Sequence, residues 1–277
     1  MGLRINTNTQ SISAQRMLGM TKNNIDNNLR KLSSGQRITR AGDDAAGLAI
    51  SEKLRSHIRG LRQARRNADD GISLIQTAEG GMEEIGNIII RLRELAIQSA
   101  SDTVGNTERK FSDIEFQSLK EEIQRISKAT EFNSRKLLDG SSGVVEIQVG
   151  IMNDLFQDRI TYDGTSVDVT LETLGIGTET VGSKESSQMA LQRLDDALVK
   201  VNGSRAKLGA LQNRLNSVIN TLQINDENFS AANSRIRDVD VAQETADLAK
   251  NNILSQAGIS VLSQANQAPN FALKLLS

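Results

Sequence analysis

From position 61 to position 96, small and apolar residues step by three and four without a slip: Leu61, Ala64, Ala68, Gly71, Ile75, Ala78, Met82, Ile85, Ile89, Leu92 and Ala96. A seam of this length predicts one long helix packed lengthwise on other helices. The predicted helix takes in residues 45–99, which at ~1.5 Å per residue is on the order of 80 Å. Ahead of it, residues 7–33 carry only a thin stripe, with Leu18, Ile25 and Leu32 seven apart among Asn, Gln and Ser. So narrow a face is marginal alone and calls for a partner. Ser33-Ser34-Gly35 interrupts this first helix, and Asp43 or Asp44 is placed to cap the second.

A polar break at 101–107 precedes a third helix, with Phe116, Leu119, Ile123 and Ile126 in three-four steps and an end at Glu131-Phe132-Asn133-Ser134. Between 137 and 183 the period changes to two. Val145, Ile147 and Val149 alternate with polar residues, as do Val167, Val169 and Leu171, and glycines punctuate the stretch. This predicts a small region of β-hairpins. Helix returns near 186 with Leu191, Leu194, Leu198 and Val201. After a slip at Asn202-Gly203 the seam resumes as Leu208, Leu211, Leu215, Val218 and Leu222, with Phe229 one heptad on. A last helix, 236–265, places Val241, Leu248, Leu254 and Val261 on a heptad stripe and ends at Pro269.

The order predicts a mainly α fold: an elongated antiparallel coiled-coil or helical-bundle rod with paired N- and C-termini and a small β-hairpin piece at its far end. The two terminal stripes are the thinnest, so their completion falls to other chains.

Composition supports rods over a globular core. Aromatics make up 3% of the 277 residues, with no Trp and one Tyr, and there is one proline to break a helix. The net charge of −1 exerts no overall pull toward nucleic acid or an anionic membrane. No run of ~18 apolar residues exists to span a bilayer. The first six residues lack the apolar core of a Sec signal peptide, and Asn6 stands where a myristoylation motif has Ser or Thr. With no cysteine, disulfides and thiolate metal sites are excluded.

Candidate chemistry is sparse. His57 is the lone histidine, which excludes a His-based metal site or a Ser-His relay within the chain and leaves a half-buried packing residue or a pH switch. Asp43 and Asp44, if helical, point about 100° apart, which suits capping better than a metal pair. Gly175-Ile176-Gly177-Thr178 lacks the third glycine and the Lys-Ser/Thr of a phosphate loop. Arg55, Arg59, Arg62, Arg65 and Arg66 form a basic stripe. Nucleic-acid binding is one reading of it; balanced charge and scarce stacking aromatics favour a stripe that meets acidic partners. No catalytic, cofactor or metal site is expected, and the chain does not read as an enzyme.

Several motifs carry a resemblance. Leu32-Ser33-Ser34-Gly35-Gln36-Arg37-Ile38-Thr39-Arg40-Ala41-Gly42-Asp43-Asp44-Ala45-Ala46-Gly47 resembles the N-terminal signature of bacterial flagellins. Ile58-Arg59-Gly60-Leu61, Arg66-Asn67-Ala68-Asp69-Asp70-Gly71-Ile72-Ser73 and Arg91-Leu92-Arg93-Glu94-Leu95-Ala96-Ile97-Gln98-Ser99 continue it. Ser234-Arg235-Ile236-Arg237-Asp238 and Ser260-Val261-Leu262-Ser263-Gln264-Ala265-Asn266-Gln267-Ala268-Pro269 are similar to the family's C-terminal region. The similarity covers residues 1–136 and 186–277 in the right order and spacing.

The resemblance implies a structural subunit of the flagellar filament, a short form without large outer domains. It implies inner-core helices at 1–44 and 236–277, outer-core helices at 45–136 and 186–235, and a β-hairpin region at 137–185 in place of the variable domains. Leu18, Ile25, Leu32, Val241, Leu248, Leu254 and Val261 would form the inner-core polymerisation interface. Implied partners are further flagellin subunits, hook–filament junction and filament cap proteins, the flagellar type III export apparatus and a flagellin chaperone. Nucleic acid and membrane insertion are not among them, and the implied location is the secreted, extracellular filament. Some flagellins are ligands of the innate immune receptor Toll-like receptor 5. The family's subunit- and receptor-facing positions match Arg91, Leu95, Glu115, Leu194 and Leu198, whereas Ile90 stands where many recognised members have Gln. The alternatives are a hook–filament junction protein, with similar terminal coiled coils, and a nucleic-acid-binding or adaptor coiled coil.

Overall fold

The structure, a computed structural model, describes residues 7–274, with side chains to residue 267. The chain divides into two compact units. One takes in the chain up to His57 and from Asn228 onward; the other is Ile58–Glu227. Both boundaries fall inside long helices, α2 (Ala45–Ser99) and α5 (Lys184–Arg237), rather than at the helix breaks where the sequence pattern places segment ends.

The first unit rests on α1 (Thr9–Ser34) and α6 (Val241–Lys274). Asn8 caps α1, its Oδ1 accepting from Ser11 N at 3.0 Å. Gly35 stops α1 in the left-handed region (φ 68°), where a Cβ would be strained. The two helices run antiparallel. Lys31 Nζ lies 3.3 Å from a Glu244 carboxylate oxygen, and Ser11 Oγ bonds Asn266 Oδ1 at 2.8 Å. At the turns between helices, Arg37 N donates to Arg237 O (2.7 Å) and Val239 N to Gly35 O (3.1 Å). Two sequence expectations are corrected here. The break precedes Val241 rather than Ile236, because Asp240 caps α6 through Ala242 N (3.0 Å) and Gln243 N (3.2 Å). Nor does Pro269 end the last helix, which runs on to Lys274. A proline has no N–H for the carbonyl four residues back. That carbonyl, Ala265 O, accepts instead from Asn8 Nδ2 at 2.7 Å.

In the second unit, every seam residue from Leu61 to Ala96 is buried, and all are inside one chain's fold. Leu74, Leu95, Phe116, Ile123, Leu194, Leu208 and Leu215 complete the core with α3 (Asn106–Ala129) and α5. The expected slip at Asn202-Gly203 does not interrupt α5; the buried Ser204 occupies the seam position between Val201 and Leu208.

The β region departs most from expectation. Strand structure begins earlier, with β1 (Glu131–Phe132) and β2 (Arg135–Lys136) joined through Asn133 (φ 48°) and Ser134 (φ 63°), both left-handed as a type I′ hairpin turn requires. Next, β3 (Val144–Gln148) pairs antiparallel with β4 (Arg159–Asp163), setting Ile147 opposite Ile160 and Val145 opposite Tyr162. Val167, Val169 and Leu171 form no strand. Val167 closes a 3-10 turn, Val169 is a buried link, and Leu171 opens the short helix α4 (Leu171–Leu174). Burial of alternate residues is equally satisfied by a turn, so the period alone misleads there.

The hairpin does not cap the far end of the bundle; it lies back along α2. Three α2 glycines admit it. A Cβ on Gly81 would come within 2.8 Å of Leu138, one on Gly71 within 2.7 Å of Ile147, and one on Gly60 within 2.8 Å of Ile151. Asn67 Nδ2 adds a bond to Gln148 O at 3.0 Å.

Candidate functional site

The candidate sites among the described residues are surfaces. The first is the α1–α6 pair. Leu18, Ile25, Leu32 and Leu248 are half-buried between the two helices, while Val241, Leu254 and Val261 remain exposed. Gly258 permits close approach, since a Cβ there would sit 3.3 Å from Leu18 Cδ1. Glu244, Leu248, Asn251, Ser255, Gly258 and Leu262 follow three-four steps on the face toward α1. Ile253, Leu254, Ile259 and Val261 lie on the remaining sides of α6 and are exposed. Between the helices runs an open groove of about 860 Å³, lined by Ala14, Met17, Leu18, Met20, Leu254 and Val261 among others.

The second surface is the outer face of α2 and α3. Arg91 bridges the helices, 2.8 Å from Glu115 and 2.9 Å from Glu94. These hydrogen bonds, Glu115's first, hold the guanidinium's pKa above its ordinary value. Leu95 and Leu194 do not face outward: at 2% and 0% exposure they belong to the chain's own core. Leu198 is half-buried against that core. Residues that motif matching missed flank the ion pair, namely Ile97, Phe111 and Ile114, all exposed together with Ile90. The signal for Ile90 and Ile97 was present, as a seven-residue step displaced from the seam. A third apolar point is the loop between β3 and β4, where Met152, Leu155 and Phe156 stand out, Phe156 at 85% exposure. Its backbone is fixed by Asp154 Oδ1, which accepts from Phe156 N and Gln157 N at 2.8 Å, and by Asp158 Oδ2, which accepts from Asp154 N at 3.0 Å.

The remaining candidates resolve into packing. His57 is half-buried, edge-on to Phe229 with ring centroids 6.0 Å apart. Asp44 Oδ1 accepts from Gly47 N at 2.8 Å and caps α2. Asp43 Oδ2 binds Thr39 N (3.0 Å), Thr39 Oγ1 (2.9 Å) and Arg40 N (3.0 Å), and these bonds, Thr39's first, lower its pKa. Within the arginine stripe, Arg55 pairs with Glu52 (3.5 Å), Arg62 with Asp226 (3.0 Å), and Arg66 bonds Gln63. Gly175, from the glycine pair that mimics a phosphate loop, is the left-handed C-cap of α4 (φ 78°). Among the described residues no group of three or more His, Cys, Asp or Glu is placed to hold a metal, and no helix is long and apolar enough to cross a membrane.

Comparison with known proteins names this architecture. A family profile of the bacterial flagellin N-terminal helical region matches residues 5–143, and one of the C-terminal helical region matches residues 191–276. The chain belongs to the bacterial flagellin family. A flagellin from Halalkalibacterium halodurans is 46% identical over 272 residues, covering 98% of this chain and 99% of the relative. A flagellin from Bacillus subtilis is 42% identical over 308 residues, covering 99% and 100%. A flagellar filament 30.7 kDa core protein from Treponema maltophilum is also 42% identical, over 288 residues and 99% of each chain. The crystal structure of Bacillus cereus flagellin is similar at 31% identity with a TM-score of 0.51, covering 57% of this chain and 88% of that one. A structure described as a flagellar hook-associated protein from Vibrio parahaemolyticus shares the fold at 13% identity, with a TM-score of 0.58 over 71% of this chain and all of that one. Flagellins are structural proteins, so this chain is not an enzyme.

Proposed function

We propose that this flagellin is a subunit of an extracellular flagellar filament and joins further copies of itself through its paired terminal helices. The observation that carries this reading is α6, which covers one side against α1 and presents Ile253, Leu254, Ile259 and Val261 on the others. Large exposed apolar area on several faces is unusual for a chain that works alone. Head-to-tail contact between unlike surfaces produces an open helical assembly instead of a closed ring. On this reading residues 1–44 and 236–277 form the inner core, 45–136 and 186–235 the outer core, and 137–185 the reduced surface region. Leu18, Ile25, Leu32, Val241, Leu248, Leu254 and Val261 then belong to the polymerisation interface.

The finer parts of the proposal rest on family membership: export through the flagellar type III channel, a chaperone for the C-terminal helix, and contacts with junction and cap proteins. Recognition by Toll-like receptor 5 has the exposed Arg91–Glu115 pair in its favour, whereas Leu95 and Leu194 pack in the chain's own core. The junction-protein alternative shares the fold, yet full-length identity above 40% lies with filament proteins. The nucleic-acid alternative loses support where the arginine stripe is engaged by acids and amides.

The test is assembly. Purified protein, heat-dissociated and cooled in salt, should form filaments visible by electron microscopy and bind no DNA. A chain that stays monomeric, or that binds DNA tightly in low salt, would overturn the proposal.

A further inference from the structure

Four methionines outside residue 1 are exposed and one is buried, and they are not equivalent. Met82 lies in the seam at 0% exposure. Met152 and Met189 are exposed and belong to the second unit. Met17 (55%) and Met20 (56%) line the groove between α1 and α6, one helical turn apart, with Leu18, Leu254 and Val261 around them. The chain has no cysteine to act as a sacrificial thiol. We infer that Met17 and Met20 are an oxidation-sensitive modification site, and that their conversion to methionine sulfoxide by hydrogen peroxide keeps the subunit out of the filament.

The inference rests on the groove being covered by another copy, as proposed above. In the chemistry, the thioether sulfur attacks one peroxide oxygen and the O–O bond breaks. Sulfur gains that oxygen and loses two electrons, and peroxide is reduced to water. Sulfoxide replaces a flexible apolar side chain with a polar one, and reductases acting on either sulfoxide epimer reverse the change. The groove is mostly apolar, with Gln10, Ser13, Thr21, Asn24 and Gln264 as its polar members, and a sulfoxide oxygen that meets none of their donors is left unsatisfied once the groove is covered. Covering it without a hydrogen bond should raise the critical concentration for assembly by about tenfold or more per methionine. The same geometry makes the state of assembly matter: a free subunit exposes both methionine side chains, whereas a covered groove shields them.

The experiment treats monomer with peroxide, maps sulfoxides by mass spectrometry, and measures seeded polymerisation. Oxidised protein should fail to assemble, with Met17 and Met20 oxidised and Met82 intact, and reduction by the paired reductases should restore growth. Protein carrying Met17→Leu and Met20→Leu should polymerise before and after treatment, although Met152 and Met189 still oxidise. Normal assembly of the oxidised wild type overturns the inference. So does equal inhibition of the double variant, which would place the sensitive site elsewhere. If the double variant itself assembles poorly, reductase rescue and the sulfoxide content of the unassembled fraction decide: rescue tracking Met152 or Met189 alone counts against the groove. Untreated wild type that never polymerises defeats the subunit proposal, and this inference with it. Filaments that oxidise at Met17 and Met20 as fast as monomers also overturn it.

Discussion

Individual side chains finish the helices where the backbone cannot. Arg109 is the clearest case. It is a buried cation on α3 whose Nε donates to Ser99 O, Nη2 to Ser101 O and Nη1 to Asn106 Oδ1, each at 2.9 Å. Ser99 ends α2, a helix with no basic residue in its own last turn, so Arg109 supplies the positive charge that carbonyl end favours. Arg109→Met should lower unfolding stability by about 1.5–3 kcal/mol. Urea denaturation would measure it, and an unchanged midpoint would count against this role. Tyr162 gives a sharper optical test, being the only tyrosine. Its hydroxyl donates to Leu137 O at 2.7 Å, and burial, followed by the charge of Asp163, pushes its pKa from 10.0 to about 12. The folded pKa is raised, so stability is fully present below pH 10 and declines as pH climbs through 12. The loss should reach roughly 2–3 kcal/mol by pH 12. Ultraviolet titration should find the folded tyrosine ionising well above the denatured one; coincident curves would remove the effect. Of the residue-level roles, only helix capping at Asp43 or Asp44 was legible beforehand, and Asp44 performs it. Arg109 and Tyr162 act on carbonyls distant in the chain, and such partners have no local signature.

At the scale of elements, the seam on α2 was legible over its whole length, whereas of the short alternations Val145 and Ile147 mark a strand and Val167 and Val169 do not. The seam on α2 extends over many turns, so register errors would accumulate and its three-four steps admit only a helix. Two strands of five residues carry no such redundancy: Arg159-Ile160-Thr161-Tyr162-Asp163 pairs as β4, whereas the similar Val167–Val169 alternation forms no strand. The glycines of α2 explain how the hairpin is held. Gly71→Val should destabilise the second unit by about 1–3 kcal/mol through collision with Ile147. Gly80→Ala, where an added Cβ meets nothing within 4 Å, should stabilise it by about 0.5–1 kcal/mol through helix propensity alone. Thermal melts of the two variants should move in opposite directions. Leu215→Asp, at a fully buried position of α5, should cost about 4 kcal/mol or more and reduce helicity. An unchanged melt would mean that the α5 register is wrong.

For the molecule as a whole, the two units differ in how completely each covers its own apolar side chains. The apolar core cluster lies entirely within Ile58–Glu227, whereas the terminal helices meet along a single seam and leave large side chains uncovered. Deleting residues 265–277 removes the Ala265 carbonyl that Asn8 holds and the adjoining end of the groove. The truncated chain should remain soluble, retain the melt of its second unit, and form no filament after cooling in salt. Filament growth from the truncation would refute the part given to the terminal pair.

The sequence by itself determined the helices, the order in which they come, the burial of the α2 seam and the pairing of the two terminal helices. Those properties follow from periodicity, which is repeated often enough to be unambiguous. Only the tertiary structure decided that the hairpin lies back along α2, that Leu95 and Leu194 turn inward, and that the last helix continues past Pro269. Each of those depends on which side chain or carbonyl meets another from far along the chain: Ile147 at Gly71, the core around Leu95, Asn8 at Ala265. Periodicity specifies that a face will be covered; shape and hydrogen-bond complementarity select what covers it.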